Sequence, residues 1–266
     1  MKAKYSVRLI KGIKQYRKFL LEQDFQLYVQ TPEYGIFSQN LGYEYFILGV
    51  YKEEKLVAAT LVLDIKARRG RFYFLPYGPI LDYSNSACFN ALIKSLKNYA
   101  KRNKVDFIRI SPFSNDNQVS HKLLKDKGFK RSPMHMLAET TWLLDLTPDK
   151  ETLLKNMKQN HRNLIRRQEK LGIRIEKSTN IKDIQKVHKL LVETSKRHAF
   201  TPFSPNYLEK EFKAFKKLKG GTIYLGYYGD ELVAAAITYA YGNTTAYKHG
   251  ASNMKYKKIP VSYCIQ

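Results

Sequence analysis

Lys155, Lys158, Arg162 and Arg166 stand at steps of three, four and four. On a helix that spacing lines one stripe, and a stripe of cations suits phosphates. The same spacing also fits a solvated surface helix. Arg197 and His198 close a helical stretch beside the Pro-marked loop "FTPFSP". Cations there suit a diphosphate or carboxylates, or simply favourable charge at a helix end, worth roughly 0.3–1 kcal/mol. Tyr247 and His249, two apart in a strand-like run, are expected on one face by alternation. A histidine so placed suits a proton relay or a satisfied structural position. Gln39 and Tyr77 read as polar loop residues near strand ends, fit for ligand contact or for turn formation. The sequence has no paired carboxylates, Cys–His pair or Gly-x-Ser-x-Gly pointing to a covalent route. No metal-ligand spacing is present, and no catalytic residue is assigned.

Composition bounds the rest. The chain has 266 residues with 44% hydrophobic, enough for one large domain or two small ones. Lys and Arg number 47 against 23 Asp and Glu, a net charge of +24. Such an excess attracts nucleic acid, nucleotide diphosphates or an anionic membrane face; a lysine-favouring genome would give the same balance. Two cysteines, Cys88 and Cys264, form no disulfide framework and fit a reducing cytoplasm. The N-terminal run has no apolar signal region, and the longest apolar runs are too short to span a bilayer. The expected location is the cytoplasm, with peripheral contact at the inner face of the cell membrane fitting the charge.

The elements that must carry these residues follow from periodicity. Helical spacing is expected over Lys14 to Gln23, and "TPEYGIFSQNLG" reads as a loop. Strands are expected over Tyr45 to Tyr51, Leu56 to Lys66 and Arg71 to Leu75, with a hairpin turn in "YKEEK". A helix spans Ser86 to Arg102, "VDFIRIS" is a strand, "QVSHKLLKDKGF" a helix stopped by Gly128, and "HMLAETTWLLDL" a strand. Thr147 then caps one long helix, running through Thr152 to Leu171, with Pro148 at its start and Gly172 at its end. A strand "IRIEKS", a helix from Asn180 to about Arg197 and a helix from Asn206 to Lys217 come next. Three strands and the opening of a helix at "IPVSYCIQ" close the chain. The phrases "KLVAATLV" and "ELVAAAIT" begin 176 residues apart, at Lys55 and Glu231, in matching element order. That points to a duplicated domain rather than a solenoid.

The element order, with "VDFIRIS…LLKDKGF", resembles the GNAT acyltransferase fold. Members that bind acetyl-CoA use a Gly-rich turn whose N–H groups hold the pyrophosphate. Here "PYGPILD" and "NMKYKKIPVSY" stand in its place, which disfavours that cofactor. Two such halves without the turn resemble the FemABX family of peptidoglycan-bridge aminoacyl transferases. "IFSQNLGY" is similar to its Phe-x-Gln-Ser segment, with Asn40 and Tyr43 where Ser and Trp are usual. "FYFLPYGPIL" is similar to its Tyr-x-Pro-x-Gly-Pro strand end, and "LLKNMKQNHRNLIRRQEKLGIRI" to its basic helix. "AYKHGAS" is similar to Tyr-x-x-Gly-Ala-Ser, and "IPVSYCIQ" to the helix after it.

The resemblance implies an α/β protein with mixed sheets, built as two tandem GNAT-like domains, 1–147 and 148–266. It also implies further strands in the second domain, which is therefore expected to be incomplete at its C-terminus. The implied activity is non-covalent aminolysis of an ester. An amine on the stem peptide of a peptidoglycan precursor, UDP-MurNAc-pentapeptide or lipid II, would attack aminoacyl-tRNA, a co-substrate; no other cofactor is implied. The basic stripe would then meet tRNA. Gln39, Tyr77, Arg197, His198, Tyr207, Tyr247 and His249 would line the acceptor site, Tyr207 being similar to a tyrosine that relatives use there. The competing readings are a CoA-dependent N-acyltransferase and an inactive basic RNA-binding fragment.

Overall fold

A computed structural model describes residues 5–68, 70–256 and 258–266. Two compact units divide between Thr141 and Trp142, so the expected boundary after Thr147 lies inside the second unit. The first unit runs β1 (Tyr5–Leu9), α1 (Ile13–Leu21), α2 (Pro32–Asn40), β2 (Glu44–Lys52), β3 (Lys55–Ala67), β4 (Gly70–Tyr77), α3 (Ser86–Arg102), β5 (Phe107–Pro112) and α4 (Gln118–Lys125). The second runs α5 (Lys150–Asn156), α6 (Gln159–Arg166), β6 (Ile173–Ser178), α7 (Ile184–His198), α8 (Pro205–Lys216), β7 (Gly221–Tyr228), β8 (Glu231–Tyr241), β9 (Thr244–Ser252) and α9 (Val261–Ile265). The sheets are ordered β1-β2-β3-β4-β5 and β6-β7-β8-β9. Only β4–β5 is parallel; the other pairs are antiparallel.

From β6 to α9 the second unit repeats the first from β1 to α3, strand for strand and helix for helix. The repetition reaches single residues. In the β2–β3 hairpin, Val50 faces Ala58 and Tyr51 faces Leu56, leaving Val57 as the extra residue of a bulge. In β7–β8, Gly226 faces Ala234 and Tyr227 faces Leu232, leaving Val233 extra. Both bulges fall on the same Val of the repeated phrase. Both hairpins close in two residues, Glu53–Glu54 and Gly229–Asp230, whose first member is left-handed, at φ 55 and 57.

Each sheet is buried by helices. In the first unit Leu48, Val50, Ala58, Val62, Tyr73 and Leu75 pack on Cys88, Leu92, Leu96 and Ala100 of α3. In the second, Ile173, Val233 and Ala234 pack on Val261 of α9. The opposite face of the second sheet meets α8, where the Phe212 ring occupies the space beside Gly221.

Four local expectations are corrected. "TPEYGIFSQNLG" is largely helix α2: Pro32 takes the first position and Thr31 Oγ1 accepts the Tyr34 N–H at 3.3 Å. Gly35 is there because the Tyr45 ring lies 2.5 Å from where a Cβ would stand, not because the chain turns. Gln39 is thus a helix residue. "HMLAETTWLLDL" pairs with no strand among the described residues, and Trp142 is 90% exposed; alternation alone does not supply a ladder. The long basic helix is two helices, broken where Met157 is extended (ψ 155). Its cap is Asp149, accepting from Thr152 N–H at 2.7 Å, while Thr147 bonds back to Asp145. Asn180 caps a 3-10 turn, Ile181–Asp183, that leads into α7. Strand β1 was not expected.

Glu53 holds a left-handed conformation that costs a side chain with a Cβ about 1 kcal/mol or more. Its counterpart is Gly229. Glu53→Gly should raise stability by about 0.5–1 kcal/mol, read as a higher denaturant midpoint at unchanged slope.

Candidate functional site

β9 carries the chemistry of the second unit, and a bulge decides how. Ile237 faces His249 and Thr238 faces Tyr247, so Lys248 is an extra residue. Alternation is thereby inverted between Tyr247 and His249. The expectation that they share a face is corrected: the extra residue puts them on opposite faces of the sheet. His249 turns inward and is 5% exposed. Tyr247 lies across the other face, its hydroxyl 2.4 Å from where a Gly250 Cβ would be; only glycine leaves room for it there.

On the inner face, His249 Nε2 lies 2.7 Å from Glu211 Oε2, and Tyr239 donates to the same oxygen at 3.2 Å. Glu211 is fully buried, and its Oε1 has no hydrogen-bond partner among the described residues. The Phe203 ring meets His249 edge-on at 5.6 Å and stacks on Tyr207 at 4.2 Å. Tyr207, from α8, and His249 are therefore joined through Phe203, whose own ring is exposed. Tyr207 N–H donates to Ser204, the cap of α8.

On the outer side, an open pocket is lined by Thr194, Arg197, Tyr247, Gly250, Ala251, Ser252 and Ser262. Ser252 turns its backbone away from β8. Its N–H donates to Thr194 Oγ1 at 3.1 Å, and its carbonyl accepts from Arg197 Nη1 at 3.1 Å. Arg197 Nη2 reaches Ser252 Oγ at 3.3 Å, and Nε reaches His198 Nε2 at 3.1 Å. Of the five N–H donors of a guanidinium, those contacts engage three and leave two for a ligand. Burial of the phenol end pushes the Tyr247 pKa up, against an opposing hydrogen bond from Gln266. β9 has no strand on this side among the described residues, so the pocket lies along a sheet edge.

The cationic stripe survives the broken helix in part. Lys155, Arg162 and Arg166 line one concavity with Glu151 and Leu154. Arg162 also holds the α5 end: its Nη1 donates to Lys155 O at 2.8 Å and to Met157 O. Lys158 stands at the junction as the residue preceding α6, its carbonyl taking the His161 and Arg162 N–H groups. In the first unit, Gln39 Nε2 donates to Glu44 at 3.2 Å on an exposed surface. Tyr77 is left-handed at φ 51, donates to Ala138 O at 3.3 Å, and packs on Phe113, which packs on Phe25. The structure brings Arg197 and Tyr247 to one pocket, with His198 against Arg197 outside its lining, and joins Tyr207 and His249 through Phe203; Gln39 and Tyr77 have separate partners.

Sequence reasoning missed Glu211, Tyr239, Thr194, Ser252 and Ser262. Glu211 had a signal. Leu208, Phe212 and Phe215 mark the apolar stripe of α8, and Glu211 sits within it. A carboxylate on an inward stripe needs a partner. Ser252 had none, since its role is through its backbone.

The comparisons extend this picture. The FemAB family pattern matches residues 12–128 and 127–225. A lipid II:glycine glycyltransferase of Staphylococcus aureus is 26% identical over 150 residues, covering 53% of this chain and 35% of the relative. The chain thus matches about a third of that relative's length. The crystal structure of FemX superposes with a TM-score of 0.82 at 15% identity, covering 98% of this chain and 84% of that one. A tandem GNAT protein from the clavulanic acid biosynthesis pathway gives 0.56 at 8% identity, over 98% and 83%. These two show the fold. Matched by the family pattern over well more than half of its length, the chain belongs to the FemAB family.

Proposed function

We propose that the protein transfers an amino acid from aminoacyl-tRNA to an amine on the stem peptide of a peptidoglycan precursor. The Arg197–Tyr247 pocket of the second unit is the observation that carries this reading. Its chemistry is that of an anion site with a phenol opposite: a guanidinium held by Ser252 with two N–H groups to offer. A diphosphate or a peptide carboxylate fits it, and the precursor carries both. The family supplies the ester donor. The amine nitrogen bonds to the ester carbonyl carbon, the tetrahedral intermediate collapses, the ribose oxygen leaves, and the amine proton passes to it. The ester is already activated, so positioning and cationic stabilisation of the oxyanion carry much of the rate.

Lys155 and Arg166 extend the reading to the tRNA backbone, in the concavity between α5 and α6. Gln39, Tyr77, His198 and Tyr207 remain proposed acceptor contacts. The proposed location is the cytoplasm, at the membrane face when the acceptor is lipid II. No helix among the described residues is long and apolar enough to cross a membrane.

CoA as the acyl donor is not favoured by the first unit's geometry. β4 and β5 pair without a gap from Phe72 to Tyr77. Gly78 is pinned, with Thr60 Oγ1 2.5 Å and Gln30 Nε2 2.8 Å from where a Cβ would stand. The first N–H groups of α3 face the Asn85 side chain, which accepts from Cys88 N–H at 3.0 Å.

The deciding experiment mixes purified protein, tRNA charged with a labelled amino acid, and UDP-MurNAc-pentapeptide or lipid II. Transfer of label is expected; label that stays on tRNA while acetyl-CoA turns over would replace this reading with the acetyltransferase one. Arg197→Ala should raise KM for the acceptor roughly 10- to 100-fold, the loss expected for a charged hydrogen bond. In filter binding, Lys155→Ala and Arg166→Ala should each reduce the salt slope of tRNA affinity by about one. Arg162→Ala should also lower the melting temperature, because its side chain caps α5.

A further inference from the structure

The two faces of β9 are linked by parity. With regular alternation, Tyr247 and His249 would point the same way. The extra residue Lys248 is what sends Tyr247 to the pocket side while His249 points inward. Removing the bulge by a slip of one residue beyond Tyr247 would pair His249 with Ala236 and turn it outward, and would set Gly250 opposite Ala235, out from under the Tyr247 ring. Something must therefore hold the bulge, and the inner face shows what does. His249 is 5% exposed and Glu211 fully buried, with Nε2 and Oε2 2.7 Å apart. Any register that withdraws His249 leaves the buried Glu211 carboxyl, whose Oε1 already has no partner among the described residues, without the imidazole as well.

We infer that Glu211 and His249 are positioning residues: the pair locks the Lys248 bulge and so aims Tyr247 across Gly250 toward Arg197. Phe203 and Tyr239 complete the lock, the first against the imidazole and the second on the same carboxylate oxygen. Neither Glu211 nor His249 lines the pocket, so both act through Tyr247. The inference rests on the reading above only for the identity of the ligand.

Two readouts test it. The first needs no substrate: a single 3-fluorotyrosine placed at position 247 and followed by fluorine NMR. His249→Ala and the isosteric Glu211→Gln, each checked for cooperative melting, should shift or split that resonance. Lys213→Ala, an exposed change on the same helix as Glu211 that leaves the pair intact, should not. An unmoved resonance in a folded His249→Ala or Glu211→Gln protein overturns the inference. The second readout is the affinity for UDP-MurNAc-pentapeptide by titration calorimetry. Tyr247→Ala and His249→Ala should each weaken it by about tenfold, and the double variant should be no weaker than either single one. Additive losses would make His249 a merely structural residue. If the wild type binds no precursor while the resonance still moves, the function assigned above fails and the positioning role stands.

Discussion

A β-strand alternates its side chains with period two, so one extra residue inverts everything beyond it. Much of this protein is arranged around that constraint. Val57 and Val233 are extra residues at the same place in two copies of one hairpin. Immediately after each lie two alanines buried to 0–1% exposure, Ala58 and Ala59 in one copy and Ala234 and Ala235 in the other. Small residues let helices pack close to the sheet next to the bulge. A third extra residue, Lys248, falls where the first copy is irregular as well: β3 and β4 pair regularly from Ala67–Gly70 to Leu63–Phe74, and the Ala59–Ile80 bridge beyond leaves more residues on the β4 side. The first two bulges are inherited architecture. The third divides β9 between a sealed inner face and an open edge.

The copies also differ in the polar group each buries to tie helices to sheet. In the first unit Gln30 is fully buried, donating to Pro76 O at 2.5 Å and accepting from Leu61 N–H at 2.9 Å. Tyr16 donates to its carbonyl at 2.8 Å. A neutral amide satisfied on both ends suits a permanent fastening. The end of β4 beside it is closed further by the Ala59–Ile80 bridge. In the second unit the buried group is a carboxylate with one oxygen matched by an imidazole and a phenol. A buried carboxyl with an unmatched oxygen is more demanding than a satisfied amide, because its partner cannot be withdrawn cheaply. Near it the corresponding strand keeps an open edge with a guanidinium beside it. One copy is closed by an amide latch, and the other keeps the Arg197 pocket next to a buried carboxyl–imidazole pair.

Much of the fold was legible in the sequence, and the reasons are specific. The core strands were read from apolar runs and turns, and α3, α4, α7 and α8 from helical spacing. Failures came where local signals conflicted. Gly35 looked like a turn residue but answers to the Tyr45 ring. The break at Met157 has no glycine or proline to announce it. The apolar alternation from Met134 to Leu146 promised a strand, yet a strand exists only with a neighbour. Among candidate residues, Arg197 and Tyr247 were identified by type and do share a pocket. Arg162 was read as one cation of a helical stripe and proves also to hold a helix end.

By itself the sequence determined most of the element order, the duplication, the excess of cations and the absence of a Gly-rich phosphate turn. Each of these is local or compositional, carried by neighbouring residues or by their sum. The tertiary structure alone decided which side Tyr247 takes, what His249 touches and which donors of Arg197 remain for a ligand. Those depend on the Lys248 bulge, on Glu211 reaching β9 from a helix 38 residues earlier, and on the Ser252 carbonyl turned away from its sheet. Strand parity and long-range hydrogen bonding are properties of pairing between distant segments, and no window of sequence contains both partners.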